Sequence, residues 1–186
     1  MRIIAGTHRS RRFDAPSGRN TRPTLDKVRE AVFSSLGGFF DGGNVLDLYA
    51  GSGAIGFESL SRGMDHAVFA DSDRNAAAVI RKNAESLGFT EQCTVYPMKA
   101  ERVIPLLKEK GMVFDLVYLD PPYRRQENEA MLEKVCEAGL LKPGGIAVIE
   151  SLKEEQFSEQ IGPLKRYKEA VYGISRISYY RMAEEC

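Results

Sequence analysis

From residue 44 onward, short apolar runs alternate with segments whose apolar residues recur every three to four positions. That pattern predicts strands separated by amphipathic helices. Residues 45–49 read as a first strand, and a glycine turn leads into a helix to about residue 61. Residues 67–70 make a second strand, before a helix at 74–87. A third strand at 94–96 precedes a helix at 100–110. Residues 114–119 are almost continuously apolar, as expected of a strand covered on both faces. A polar helix near 127–138 leads through Lys142-Pro-Gly-Gly145 to a strand at 146–149, and 153–161 has helical spacing. Residues 167–171 and 174–181 then alternate β-branched and aromatic residues with polar ones around Gly173, the pattern of a hairpin. Five βα units and this hairpin predict an α/β, Rossmann-like fold, a doubly wound and mostly parallel sheet with an antiparallel C-terminal hairpin. Ligands of such sheets bind beyond the carboxyl ends of the strands, near the first one.

The N-terminal residues follow another pattern. Residues 2–5 and 12–15 read as a short strand or hairpin, running into the turn-rich Pro16-Ser-Gly-Arg-Asn20. Pro23-Thr24 opens a helix, with Thr24 placed to cap it, Asp26 in its first turn, and Leu25, Val28, Val32 and Leu36 at helical spacing. Gly37-Gly38 ends it. The organisation expected is a basic arm at 1–24, a helix at 25–43 and the α/β domain at 44–186.

Composition adds bounds. The chain has 186 residues, 43% hydrophobic and 28% charged, which suits one globular domain. No apolar run approaches the ~20 residues of a membrane span, and the first residues lack a signal peptide's apolar segment. Three scattered cysteines (Cys93, Cys136, Cys186) and two histidines (His8, His66) offer no metal-ligand spacing. The expectation is a reduced, cytoplasmic protein with no metal and no membrane partner. The net charge of +0 hides an asymmetry, because residues 1–24 carry six arginines and no lysine against the single acid Asp14. An arginine-rich arm on a mildly acidic body suggests a polyanionic partner, since the guanidinium fork binds phosphate oxygens in pairs. A merely solvated arm remains the alternative.

Gly51-Ser52-Gly53-Ala-Ile-Gly56 fits GxGxxG between a strand and a helix, so that a ligand can lie against bare backbone. Asp71 closes the second strand twenty residues after Gly51, where a carboxylate can bind a ribose diol. Nicotinamide dinucleotides and S-adenosylmethionine both fit so far. Asp47, four residues before Gly51, separates them. A pyrophosphate beside it would be repelled by about 3–4 kcal/mol at an effective dielectric near 20. S-adenosylmethionine instead brings an ammonium and a sulfonium, and is favoured. An acid that merely caps local amides is the alternative role for Asp47. Asp73 reads as the cap of the helix at 74. Tyr49, Ser52 and Ser72 complete the loop set, and Lys99-Ala100 after the third strand is where adenine would be read, through backbone contacts only.

Asp120-Pro121-Pro-Tyr123 ends the fourth strand. Two prolines stiffen the turn and remove two amide donors. A carboxylate, a bare carbonyl and an aromatic ring suit a planar group bearing an exocyclic NH2. Asp120 and the Pro121 carbonyl would accept its hydrogens while Tyr123 stacks on the ring. Methyl transfer from a sulfonium then needs little beyond in-line positioning.

VLDLYAGSGAIGFESLSRG, FADSD and LDPPY, in that order, resemble the class I S-adenosylmethionine-dependent methyltransferases that modify exocyclic amino groups. The segments RIIAGTHRSRRF and TRPTLDKVREAVFSSL extend the resemblance to the bacterial 16S ribosomal RNA guanine-N2 methyltransferase family, over essentially the whole chain. That resemblance implies that Asp47, Gly51 and Gly53 contact the cofactor, Asp71 its ribose, and Asp120 with Tyr123 the flipped guanine. It also implies that Thr21, Arg22 and Thr24 close over the methionine end. The catalytic core leaves only ~40 residues for target selection, too few for a DNA-recognition domain. A substrate already folded into a distinctive shape is therefore expected, and the resemblance implies that it is 16S rRNA within the small ribosomal subunit or an assembly intermediate. Arg2, Arg9, Arg11, Arg12, Arg124 and Arg125 are its candidate phosphate contacts, with Lys165-Arg166-Lys168 a further basic cluster. The competing readings are methylation of DNA adenine N6 or cytosine N4, methylation of a protein glutamine amide, and a non-catalytic S-adenosylmethionine-binding assembly factor.

Overall fold

The computed structural model describes residues 1–17, 23–121 and 125–184, without the side chains of residues 23–25 and 125–126. The chain forms two compact units, Met1–Lys99 and Ala100–Cys186.

The first unit contains α1 (Pro23–Ser35), β1 (Asn44–Leu48), α2 (Ala54–Ser61), β2 (His66–Ala70), α3 (Arg74–Leu87) and β3 (Cys93–Tyr96). The pairs β1/β2 and β2/β3 are parallel, with Asn44 opposite His66 and Ala67 opposite Cys93. Val45, Leu46 and Leu48 are fully buried, as are Ala67, Val68 and Phe69, which is why these strands read as apolar runs rather than alternating ones. The helix α3 has the span its periodicity predicts. Asp73 caps it by accepting the Asn75 amide at 2.8 Å, and Gly88, with φ of 76°, ends it. Its buried face is Ala76, Ala77, Ile80, Asn83, Ala84 and Leu87.

Residues 1–17 are bound to this unit and do not form two full strands. A single antiparallel bridge joins Arg2 and Arg12, and the Ile3 amide donates to the Arg11 carbonyl at 2.9 Å. The ladder stops there because α2 takes the next amides. Glu58 accepts from Ile4 and Ala5, and the Ser61 carbonyl accepts from Thr7. Ile3 and Phe13 are buried, with the Phe13 ring edge-on to Phe57 at 5.6 Å.

The second unit contains α4 (Ala100–Glu109), β4 (Phe114–Leu119), α5 (Arg125–Glu137), β5 (Leu141–Leu152), β6 (Gln160–Ile161), β7 (Leu164–Tyr172) and β8 (Ser175–Met182). The strands β4 and β5 pair in parallel, β5/β8 and β7/β8 antiparallel, and Gly173 turns the terminal hairpin as expected. Two expectations need correction. β5 begins at Leu141, because Leu141 pairs with Phe114 before the irregularity that precedes Leu116. Residues 153–161 are not helical. Phe157 and Ile161 are buried at helical spacing, yet side chains take the local backbone groups. The Ser158 amide donates to Glu129 at 2.7 Å, and the Phe157 carbonyl accepts from Arg166 at 2.9 Å. Among the described residues no helix is long and apolar enough to cross a membrane. Burial pushes the Cys93 thiol up to about 12 and the Cys136 thiol up to about 11, so neither is a nucleophile at neutral pH.

Candidate active site

The carboxyl ends of β1 and β2 bring most of the expected cofactor residues together within the first unit. The Ala50 amide donates to the Ala70 carbonyl at 3.0 Å, extending the β1/β2 pairing into the glycine loop. The Gly51 amide then donates to Asp71 Oδ2 at 2.8 Å, while Asp71 Oδ1 accepts the Asp73 amide at 2.9 Å. Asp71 thus locks the loop to the end of β2 from a position 8% exposed. Asp47, 2% exposed, accepts the Gly56 amide through Oδ2 at 3.1 Å, so the local capping role considered for it is real. Two buried carboxylates therefore flank one loop. They give it a negative field that suits an ammonium or sulfonium and opposes a pyrophosphate.

Gly53 and Gly56 have different reasons to be glycine. Gly53 has φ of 82° just before α2, a conformation costly for other residues. A Cβ on Gly56 would stand 2.2 Å from Phe69 Cε1, so this residue sets how closely α2 lies on β2. Replacing Gly56 with alanine is expected to cost about 1–3 kcal/mol through overpacking. It should also weaken donor binding, because relieving that clash displaces the backbone amide that holds Asp47. Denaturant unfolding and calorimetric titration with the donor would check both.

Tyr49, at φ of 59°, starts the turn, and Ser52 is tied to α3 through its carbonyl, which accepts from Asn83 at 3.4 Å. Ser72 and Lys99 are exposed, and Ala100 is buried at the start of α4. In the second unit, Asp120 is exposed immediately after β4 and Pro121 is buried behind it. Thr21, Arg22, Tyr123 and Arg124 lie outside the described residues, as do the side chains of Thr24 and Arg125.

The arm's arginines are not equivalent. Arg2 pairs with Asp26 at 3.0 Å, and Arg11 donates to the Ser86 carbonyl at 2.7 Å. Arg9 and Arg12 are exposed, with no ion pair or hydrogen bond from their guanidiniums among the described residues.

Sequence reasoning missed two polar clusters beside this site. Glu58, fully buried in α2, accepts from Arg62 Nε at 2.9 Å and faces Arg29 Nε at 3.5 Å. Asn83 is the second, since its side chain accepts the Asp14 amide at 2.9 Å and donates to the Asp14 carbonyl at 2.8 Å. Only the i,i+4 spacing of Glu58 and Arg62 signalled the first.

Known proteins share this architecture. The family described as conserved hypothetical protein 95 matches residues 1–181. Ribosomal RNA small subunit methyltransferase D of Haemophilus influenzae is 34% identical over 83% of this chain and 80% of its own. The protein of the same name from Escherichia coli is 31% identical over 99% of this chain and 91% of its own. Among solved structures, Escherichia coli yhhF superposes with a TM-score of 0.85 at 30% identity, covering 100% of this chain and 99% of that one. The chain belongs to the conserved hypothetical protein 95 family, in which the small subunit ribosomal RNA methyltransferases D are its relatives.

Proposed function

We propose that the protein transfers a methyl group from S-adenosylmethionine to the exocyclic N2 of a guanine in 16S rRNA, in the cytoplasm, on the small ribosomal subunit or an assembly intermediate. The observation that carries this reading is the pair of buried acids, Asp47 and Asp71, holding the glycine loop of a chain related to small subunit rRNA methyltransferases. The donor supplies a methyl group on a sulfonium, which a negative site favours.

In this reading Asp47, Tyr49, Gly51, Ser52 and Gly53 receive the amino-acid end of the donor. Thr21, Arg22 and Thr24 close over it, while Asp71 and Ser72 take the ribose and Lys99-Ala100 the adenine. Asp120 and the Pro121 carbonyl accept the two hydrogens of the guanine amine, and Tyr123 stacks on the base. Amine hydrogen bonds that favour a pyramidal nitrogen free its lone pair from conjugation, and Asp120 takes the proton lost as the N–C bond forms.

The test presents labelled S-adenosylmethionine with small subunits, naked 16S rRNA and duplex DNA, followed by digestion to nucleosides. Label in N2-methylguanosine from particles is expected. Label in N6-methyladenine would overturn the reading.

Among the arm residues, Arg9 and Arg12 are the phosphate contacts with the largest expected share, because Arg2 and Arg11 already have partners. Exchanging both for alanine should weaken RNA binding and reduce the slope of log affinity against log salt by about 1–2, with donor affinity unchanged. A salt titration of filter-bound RNA checks it, and an unchanged slope removes the pair from the interface.

A further inference from the structure

Beside the Asp120 turn, the second unit carries an acid that the function proposed above does not use. Glu150 lies on β5, and the parallel register pairs Leu119 with Ile149. One residue further along come Asp120, just past the end of β4, and Glu150, two residues before the end of β5, so the register sets the two carboxylates at the same level on neighbouring chain segments. Tyr118, two residues before Asp120 and 2% exposed, donates its hydroxyl to Glu150 Oε2 at 2.6 Å. That is the one hydrogen bond of this carboxylate among the described residues, so Oε1 is left to accept another. Burial raises the carboxyl above its usual range, while the Tyr118 hydroxyl pulls it back. An acceptor that is half-withdrawn from water and held by a buried tyrosine favours a donor that arrives with a ligand.

We propose that Glu150, positioned by Tyr118, selects guanine by accepting its N1–H while Asp120 holds the adjacent N2 amine. The chemistry of the bases makes this discriminating. In guanine the ring nitrogen N1 next to the exocyclic amine carries a hydrogen. In adenine and cytosine the ring nitrogen beside the amine is a bare lone pair, which a carboxylate repels. A pair of carboxylates one strand apart thus reads donor–donor, which the amine edge of guanine offers and that of adenine or cytosine does not. The second contact also draws electron density toward N2, the nitrogen that must attack.

The inference rests on the guanine reading, and its test separates the two. The wild-type protein first maps its target with labelled donor, and 2-aminopurine then replaces that guanine in the RNA. This analogue keeps the 2-amino group but lacks the N1 hydrogen. Wild-type kcat/KM should favour guanine by about tenfold or more, the worth of a hydrogen bond to a charged group. Glu150→Gln should bring the two bases within about threefold, chiefly by losing on guanine, because its amide can donate to the bare nitrogen. Tyr118→Phe, which removes only the hydroxyl, should fall between. Discrimination as in wild type by Glu150→Gln that still binds the donor overturns the proposal. Should that variant fail to fold, unchanged discrimination by Tyr118→Phe overturns it instead. If the wild type labels no guanine, the guanine reading itself fails, and Glu150 with it.

Discussion

Asp120→Ala is expected to lower the rate of methyl transfer by about 10²–10⁴-fold, the range for removing a positioned proton acceptor. Donor affinity should stay within about twofold of wild type, since in the other unit Asp71 holds the Gly51 amide and Asp47 the Gly56 amide. Stability should hardly change. Asp120 is exposed, and the strand that presents it is fixed by Phe114, Leu116, Val117 and Leu119, all buried. Asp120→Asn makes the experiment sharper. Its amide oxygen still accepts one amine hydrogen but cannot take the departing proton, so an intermediate loss in kcat with little change in KM is expected. A single-turnover assay with labelled donor measures both variants. Activity of Asp120→Ala near that of wild type would show that the turn is structural. The same variant addresses the non-catalytic alternative, because an assembly factor would keep its cellular role when methyl transfer is lost.

The parts of this molecule that were legible in the sequence are those fixed by local chemistry. The span of α3 follows from its apolar period, the Asp73 cap and Gly88. The span of β4 follows from an apolar run that only a doubly covered strand tolerates. The glycine loop was readable for the same reason, since Gly53 answers a local backbone demand. Non-local pairings were not. Lys142-Pro-Gly-Gly145 reads as a turn, yet Leu141 pairs with Phe114 and draws the segment into β5. Phe157 and Ile161 have a helix period, yet Glu129, Arg166 and Tyr180 take the backbone bonds a helix would need. The arm's charge was visible, but not that Asp26 and the Ser86 carbonyl occupy two of its arginines. Nor does any spacing reveal that Tyr118 reaches Glu150 from another strand.

Glu58→Ala is expected to be the most destabilising single change in the first unit, by about 3–5 kcal/mol, as for one partner taken from a buried ion pair. Glu58 is fully buried, and its carboxylate is the common acceptor for the Ile4 and Ala5 amides and for Arg62, with Arg29 3.5 Å away. Without it, Arg29 and Arg62, 4% and 5% exposed, become neighbouring buried cations of like sign, and two arm amides lose their acceptor. Arg29 keeps one ion pair, to Asp26 at 3.2 Å, whereas the holds left to Arg62 do not neutralise it. Arg29 donates to the Arg2 carbonyl, and Arg62 donates to the Gly38 carbonyl at 2.8 Å with its guanidinium 4.9 Å over the Phe33 ring. Glu58→Gln keeps the shape but removes the charge and turns an NH2 toward donors, so it too should lose stability, by less. Denaturant unfolding with a free fit of the m-value measures both, and a loss under about 1 kcal/mol for the alanine variant would show that the cluster contributes nothing net. A total stability of about 5–15 kcal/mol leaves the glutamine variant foldable, and it carries the functional consequence. Released amides at Ile4 and Ala5 should exchange with deuterium faster than those of β1. RNA affinity should then fall with donor affinity retained, since this carboxylate fixes the arm that presents Arg9 and Arg12.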